Sequence, residues 1–282
     1  MISSWLNRLV KYYGLDKINS LTEYPSILTY HKLGDKGSLL NELYEENRFG
    51  KNELLEVTEK IDGTNMRLIL TNDDYMVATR SNIVYAKNDR ICNEKAVKPV
   101  LDTCDYLINS FSNDKLSDVI LVVFGEVYGY NICDGTKVYC SDPNPDSMKF
   151  RVFDVRAFPC SEIENILDKD IEEISKFKNY SNKYWLDYYE LDEFCNQYNL
   201  ERTPILFRIN EIILPTDFDK TYEWMQQFKN SNSIIGIPID DKQYNPKFGK
   251  AEGIVIRNKD RSVISKLRFE DYERTIKRRG KK

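Results

Sequence analysis

Apolar residues in this chain fall into short alternating or continuous blocks, separated by polar stretches rich in turn residues. Leu54 to Thr58 reads as a strand, and so does Asn65 to Leu70. Between them stands Glu59-Lys60-Ile61-Asp62-Gly63-Thr64-Asn65, whose Asp-Gly pair predicts a tight hairpin holding Lys60 on a sheet. Tyr75 to Asn82 predicts a further short strand ending at Arg80. Val119 to Phe124 is unbroken and apolar, the pattern of a buried strand, and it ends in Gly125-Glu126-Val127-Tyr128-Gly129. Lys149 to Arg156 alternates two faces. Phe150 and Phe153 are an odd number of residues apart, so they belong on opposite ones. Arg202 to Phe207, Ala251 to Arg257 and Ser262 to Phe269 complete the strands, with a turn at Asn258 to Arg261.

Helical spacing marks Trp5–Tyr13, Ser38–Glu46, Trp185–Tyr198 and Phe218–Phe228. Asn88 to Phe111 is also helical in pattern, with Pro99 breaking or restarting it. Ser161-x-x-Glu164 has capping-box spacing ahead of Ile166, Leu167, Ile171 and Ile174. Tyr24-Pro25-Ser26 predicts an extended entry, and Asn131 to Ser147, with Pro143-Asn144-Pro145, a loop. There is no internal repeat and no low-complexity linker.

Composition narrows the class. The chain has 282 residues, 41% of them hydrophobic, enough for one large core or two small ones. No run approaches the roughly 20 apolar residues of a membrane span, and Met1 to Lys11 lacks the pattern of a signal peptide. Six cysteines without a Cys-x-x-Cys pair, and a single histidine, argue against zinc. They fit free thiols in a reducing, cytoplasmic compartment. His31 reads as a structural or surface residue. Net charge is −4, unevenly spread: from Lys266 onward eight basic residues stand against three acidic ones, a surplus of +5 that leaves −9 on the remainder. Such an end can meet a phosphate backbone or be a solvated tail.

Three features carry candidate chemistry. Lys60 becomes a nucleophile only if its ammonium loses a proton, which burial or neighbouring positive charge promotes; otherwise it is an exposed lysine beside a turn. Glu126, beyond a buried strand and flanked by glycines, can meet a ligand or cap a turn. Lys266 and Arg268 share a strand face and can grip two oxygens of a polyphosphate, or form a solvent-facing stripe.

The order of these features resembles the covalent nucleotidyltransferase superfamily of ATP-dependent ligases and mRNA capping enzymes. The string Glu59 to Asn65, and the arginine twenty residues after Lys60, are most similar to the RNA ligase 2 group. The resemblance runs from about Leu54 to Phe269. It implies an α+β nucleotidyltransferase domain of the ATP-grasp-like ligase adenylation type, with two antiparallel β-sheets flanking a nucleotide cleft and helices around them. It implies an ATP-dependent RNA ligase that seals 5′-phosphate and 3′-hydroxyl ends through lysyl-AMP and RNA-adenylate, with ATP as AMP donor and Mg2+ or Mn2+. By the same resemblance Lys60 attacks ATP, Glu126 accepts from the ribose hydroxyls, and Phe153 stacks on adenine, with Phe150 the alternative. Arg80 contacts the nucleotide or the 5′-phosphate, and Glu59 helps read the adenine edge. Glu252 lies near the metal and reacting phosphate, Lys266 and Arg268 neutralise phosphate charge, and Asn65 acts after adenylation.

Two departures qualify this. The last motif reads Lys-Leu-Arg where the group more often has two lysines, and arginine changes the geometry. Fourteen residues follow Arg268, too few for an OB-fold or helical domain. The expected organisation is one catalytic domain over 1–269 with a basic extension over 270–282. That leaves RNA grip to the first 50 residues, the surface around the pocket, or an accessory protein. The competing readings are an mRNA guanylyltransferase, which would load GMP, a minimal DNA ligase, and a non-catalytic nucleotide- or RNA-binding module.

Overall fold

The computed structural model describes residues 4–87, 97–111, 118–132, 139, 145–210, 213–229, 235 and 251–280. Among them are twelve strands and eight α-helices, and the chain divides into two compact units.

The first unit takes Met1–Ser26, Gly63–Tyr128 and Met148–Arg202. Its sheet runs β7-β6-β5-β8-β9, antiparallel throughout, from β5 (Thr64–Leu70), β6 (Tyr75–Thr79), β7 (Ile83–Ala86), β8 (Val119–Tyr128) and β9 (Lys149–Pro159). One face buries Ile69, Met76, Val122, Phe124 and Phe158 against Leu6 and Leu9 of α1 (Trp5–Tyr13), Ile18 and Leu21 of α2 (Leu15–Thr22), and the helices α4 (Cys160–Leu167) and α5 (Ile171–Tyr180). Helix α3 (Val97–Phe111) packs on β5 and β6, and Leu68, Val77, Leu121 and Val123 are buried as well. Burial of both faces explains why Val119 to Phe124 is continuously apolar. Pro99 falls in the first turn of α3, where no helical hydrogen bond is lost. The expected start of this helix at Asn88 lies outside the described residues.

The second unit takes Ile27–Asp62, Gly129–Ser147 and Thr203–Lys282. Its sheet runs β1-β12-β11-β4-β10, from β1 (Leu28–Thr29), β4 (Leu54–Lys60), β10 (Ile205–Asn210), β11 (Gly253–Arg257) and β12 (Ile264–Arg268). All pairs are antiparallel except β1 with β12. Leu55, Val57, Ile254, Ile256 and Leu267 bury one face under α7 (Phe218–Lys229) and α8 (Phe269–Arg279). Strands β2 (His31–Leu33) and β3 (Leu39–Leu43) form a separate pair.

Several expectations are corrected. Lys60 is not on a hairpin: β4 pairs with β10 and β11, and β5 with β6 and β8, so the Asp-Gly link joins different sheets. Gly63 is required by close approach instead, because a Cβ there would lie 2.3 Å from the Val127 carbonyl oxygen. Ser38–Glu46 is not an α-helix: Leu39–Leu43 pairs with β2, a partner that overrides local spacing, and only a 3-10 turn follows at Glu45–Asn47. The capping box is not at Ser161, which lies inside α4, but at Asp187 and Glu190, opening α6 (Tyr188–Gln197). Phe269–Arg279 is not a solvated tail: α8 buries Asp271, Tyr272 and Thr275. Most of Asn131 to Ser147 lies outside the described residues.

His31, the chain's one histidine, is fully buried. Its Nε2 lies 3.1 Å from the Thr216 carbonyl, which can only accept, so Nδ1 accepts from the Tyr272 hydroxyl at 2.7 Å. Burial holds its pKa below the ordinary 6.5, against the opposing pull of the Thr216 bond. The unfolded chain therefore takes up a proton first as pH falls below that value, and stability drops with it. Denaturant unfolding at about pH 7.5 and about pH 5.5, above the carboxylate range, should show the loss. It should flatten in His31→Gln, and an unchanged slope would assign the loss to other groups.

Candidate active site

Lys60 ends a strand that is hydrogen-bonded on both sides, so its position is fixed by the sheet. Its amine pairs with the Glu252 carboxylate. Glu252 stands just before β11, and its carbonyl accepts from the Phe269 N–H at 3.2 Å. Gly253 lies in register between Lys60 and Arg268. A Cβ on Gly253 would come within 2.1 Å of the Leu267 carbonyl oxygen, so the backbones meet there too closely for any other residue. Strand alternation then puts Thr58, Lys60, Val255, Lys266 and Arg268 on one face, opposite the packed one.

Arg268 is not a free cation. Its Nε and Nη2 donate to the two oxygens of Asp271 at 2.8 and 2.9 Å, and its Nη1 lies 3.9 Å from Glu252. Asp271 is almost wholly buried and also holds Arg274. Hydrogen bonding to Asp271 raises the Arg268 pKa above its ordinary value. The structure does not bring Glu59 onto the Lys60 face. It lies in register with Ile254, only 2% exposed, and its N–H donates to the Pro204 carbonyl at 2.9 Å.

The first unit carries the other candidates. Asn65 opposes Glu126, which opposes Arg151, so the three form one row across the sheet. Glu126 is therefore inside a strand, not in a capping turn. Among the described residues the Asn65 Oδ1 is buried without a hydrogen-bond partner, a costly arrangement. Phe153 is the extra residue of a β-bulge: Asp154 opposes Phe124 while Val152 opposes Gly125. Its ring stacks on Phe124, with centroids 6.5 Å apart, and meets the Tyr24 edge at 5.0 Å. Phe150 lies over Gly125, where a Cβ would be 2.3 Å from its ring. The two phenylalanines thus take opposite faces, and Phe153 shares that of Phe124, Asn65 and Glu126. Arg80 is exposed, its Nη2 3.1 Å from the Ser26 hydroxyl.

Three residues escaped the sequence reading. Tyr139 sits in the stretch read as a loop, yet its hydroxyl accepts from the Asp62 N–H at 2.9 Å. Burial pushes its pKa well up, helped by Glu59, Asp62 and Glu252. Asp271 looked like one charge of a tail. Tyr24, whose hydroxyl donates to the fully buried Asp154 at 2.9 Å, carried only the signal of a Tyr-Pro entry.

Among the described residues no group of three or more His, Cys, Asp or Glu gathers into a metal site. Glu252 offers the carboxylate that reaches Lys60, while Glu56 and Asp271 on the same side are taken up by Arg208 and Arg268. That suits a hard cation whose remaining ligands are phosphate oxygens and water.

Residues 53–278, which include every candidate above except Tyr24, match the family model described as RNA ligase. In structure the chain is similar to the Naegleria gruberi RNA ligase. With the form carrying PPi the TM-score is 0.53 at 17% identity, over 92% of this chain and 59% of that one. With an apo mutant the TM-score is 0.51 at 17% identity, over 91% and 58%. This likeness is one of fold, and the chain spans less than two thirds of the length of these neighbours. Comparison with curated proteins returns no match.

The close approach at Gly253 is directly testable. Gly253→Ala should destabilise the protein by about 1–3 kcal/mol, as overpacking does. Gly280→Ala, whose Cβ would sit 3.7 Å from its nearest neighbour, should be close to neutral. Denaturant midpoints of the two variants check this, and equal midpoints would refute it.

Proposed function

The chain belongs to the RNA ligase family, and from that premise we propose that it joins RNA ends with ATP as the AMP donor. The observation that carries this reading is the Lys60–Glu252 pair, on a sheet face shared with Lys266 and Arg268 and inside the family's span. Lys60 Nζ attacks the α-phosphorus of ATP. The bond from that phosphorus to the bridging oxygen breaks, pyrophosphate leaves with the electron pair, and AMP stays on Lys60 as a phosphoramide. A 5′-phosphate oxygen of RNA then attacks the same phosphorus and frees the lysine. A 3′-hydroxyl finally attacks the activated 5′-phosphate, AMP departs and a phosphodiester forms.

Such phosphoryl transfers depend on alignment and on charge neutralisation more than on acid–base groups. Lys266 meets the α-phosphate, and Arg268, held by Asp271, adds a fixed positive charge beside it. Glu126 accepts from the ribose hydroxyls, Phe153 stacks on adenine, and Arg80 meets the nucleotide or the 5′-phosphate. Asn65 serves the steps after adenylation. Glu252 would hold Mg2+ or Mn2+, which supplies positive charge and orients phosphates. The substrate is RNA with 5′-phosphate and 3′-hydroxyl ends, gripped with the help of an accessory protein. The thiols of Cys104, Cys160 and Cys195 are free, which supports action in a reducing, cytoplasmic compartment. No helix among the described residues is long and apolar enough to cross a membrane.

Intact-protein mass after incubation with ATP and magnesium tests the first step. A gain of one AMP, mapped to Lys60 and absent from Lys60→Ala, is expected. Glu252→Gln should form the adduct about 100-fold more slowly, the size of one lost electrostatic contact at a reacting centre. A GMP adduct from GTP would turn the reading to capping. Equal labelling of wild type and Lys60→Ala would sink the role given to Lys60.

A further inference from the structure

Arg67 sits in the middle of β5, fully buried, opposite Ala78 and Phe124. Its Nη1 donates to the Thr79 carbonyl at 2.6 Å and to the Arg80 carbonyl at 2.9 Å. Its Nη2 donates to Asn19 Oδ1 at 2.5 Å and to the Asn19 carbonyl at 3.3 Å. The Asn19 amide in turn donates to the Ser81 carbonyl at 2.7 Å. Three successive carbonyls, of residues 79, 80 and 81, are thus held by two side chains. The amide cannot be flipped, because that would set its NH2 against the guanidinium and its oxygen against the Ser81 carbonyl.

No carboxylate forms an ion pair with Arg67 among the described residues. A guanidinium buried without a direct ion pair is expensive, and an apolar residue would fill a sheet core more cheaply. Burial lowers its pKa to about 10 against the opposing charge of Glu23, which also accepts from the Asn19 amide at 3.3 Å, so Arg67 stays charged at neutral pH. The visible return is a fixed turn between β6 and β7. Arg80 needs that, since among the described residues its exposed side chain hydrogen-bonds to Ser26 alone and takes its aim from the backbone beneath it.

We propose that Arg67 and Asn19 are a positioning pair that fixes the turn carrying Arg80, and so sets how Arg80 meets the phosphate or nucleotide it serves. The inference rests on the function proposed above for Arg80. It adds that helix α2 is part of the working enzyme: Asn19 and Ser26 precede residue 53, where the family match begins.

The test combines Asn19→Ala, Arg67→Met and Arg80→Ala, singly and in pairs. Two rates are followed, lysyl-AMP formation from ATP and sealing of pre-adenylated RNA, together with amide hydrogen exchange over residues 79–82. Each single variant should slow the same step, Asn19→Ala and Arg67→Met by about tenfold, the scale of a lost charge-assisted hydrogen bond. Neither should slow it further in an Arg80→Ala background, and exchange over 79–82 should rise in both. Losses that multiply with that of Arg80→Ala would overturn the proposal, as would unchanged exchange, or an Arg80→Ala enzyme as fast as wild type. Should Arg67→Met fail to fold, Asn19→Ala decides alone. If wild type forms no lysyl-AMP, it is the ligase reading that falls, and the exchange data still judge the clamp.

Discussion

The polar face of the second unit depends on one backbone approach, that of β11 to β12 at Gly253. Because no side chain rises there, the Glu252 carboxylate can reach Lys60 on one side and come near Arg268 on the other. Glu252 then stands beside Lys60 and near Arg268, which Asp271 already holds. The Lys60–Glu252 pair is only partly buried. An ammonium held by a carboxylate has no lone pair, so in the mechanism proposed above the nucleotide must displace this contact before Lys60 can attack phosphorus.

Much of the sheet framework was legible in the sequence because each strand's pattern reports its own surroundings. Val119 to Phe124 is apolar on both sides because helices cover both faces, and Phe150 and Phe153 do take opposite faces. What failed was anything decided by a distant partner. Asp62-Gly63 has the chemistry of a turn, but glycine also serves where backbones crowd, and only the pairing of β4 with β10 and β11 tells the two apart. Leu39, Leu40 and Leu43 have helical spacing, yet β2 lies alongside and takes them as a strand. Helix α8 was hidden by its charge: Asp271 is buried because Arg268 and Arg274 neutralise it, a fact no window of hydropathy contains.

The candidate site divides the same way. Lys60, Glu252, Lys266 and Arg268 were singled out by type and order, and the sheet register puts Lys60, Lys266 and Arg268 on one face, with Glu252 reaching it. Their supports were invisible. Lys266-Leu267-Arg268 reads as two equivalent cations, but Arg268 is bound bidentately by Asp271 three residues on, while Lys266 stands in register between Val255 and Thr29. The bidentate partner comes from helix α8, which no reading of the strand alone contains. Glu59 lies on the face opposite Lys60 for a simpler reason, since the two are neighbours in sequence and a strand sends neighbours to opposite faces.

Phe153, proposed above to stack on adenine, shows how a ring can be held rigid without the sheet's help. As the unpaired residue of a bulge it has no opposite number in β8, so the ladder does not set its direction. Its direction comes from packing instead, flat on Phe124 and edge-on to Tyr24. Tyr24 is itself tethered by its hydroxyl to Asp154, the residue next to the bulge. Aromatic contacts of these geometries add about 0.5–1.5 kcal/mol beyond burial, enough to select one rotamer of a ring with two free torsions. In the stacking role proposed for Phe153, a base would meet a platform already ordered, with the entropy of fixing it met in folding. The residues that order it come from before residue 53 as well as from within the family's span, so the first unit is built around the ring from both parts of the chain.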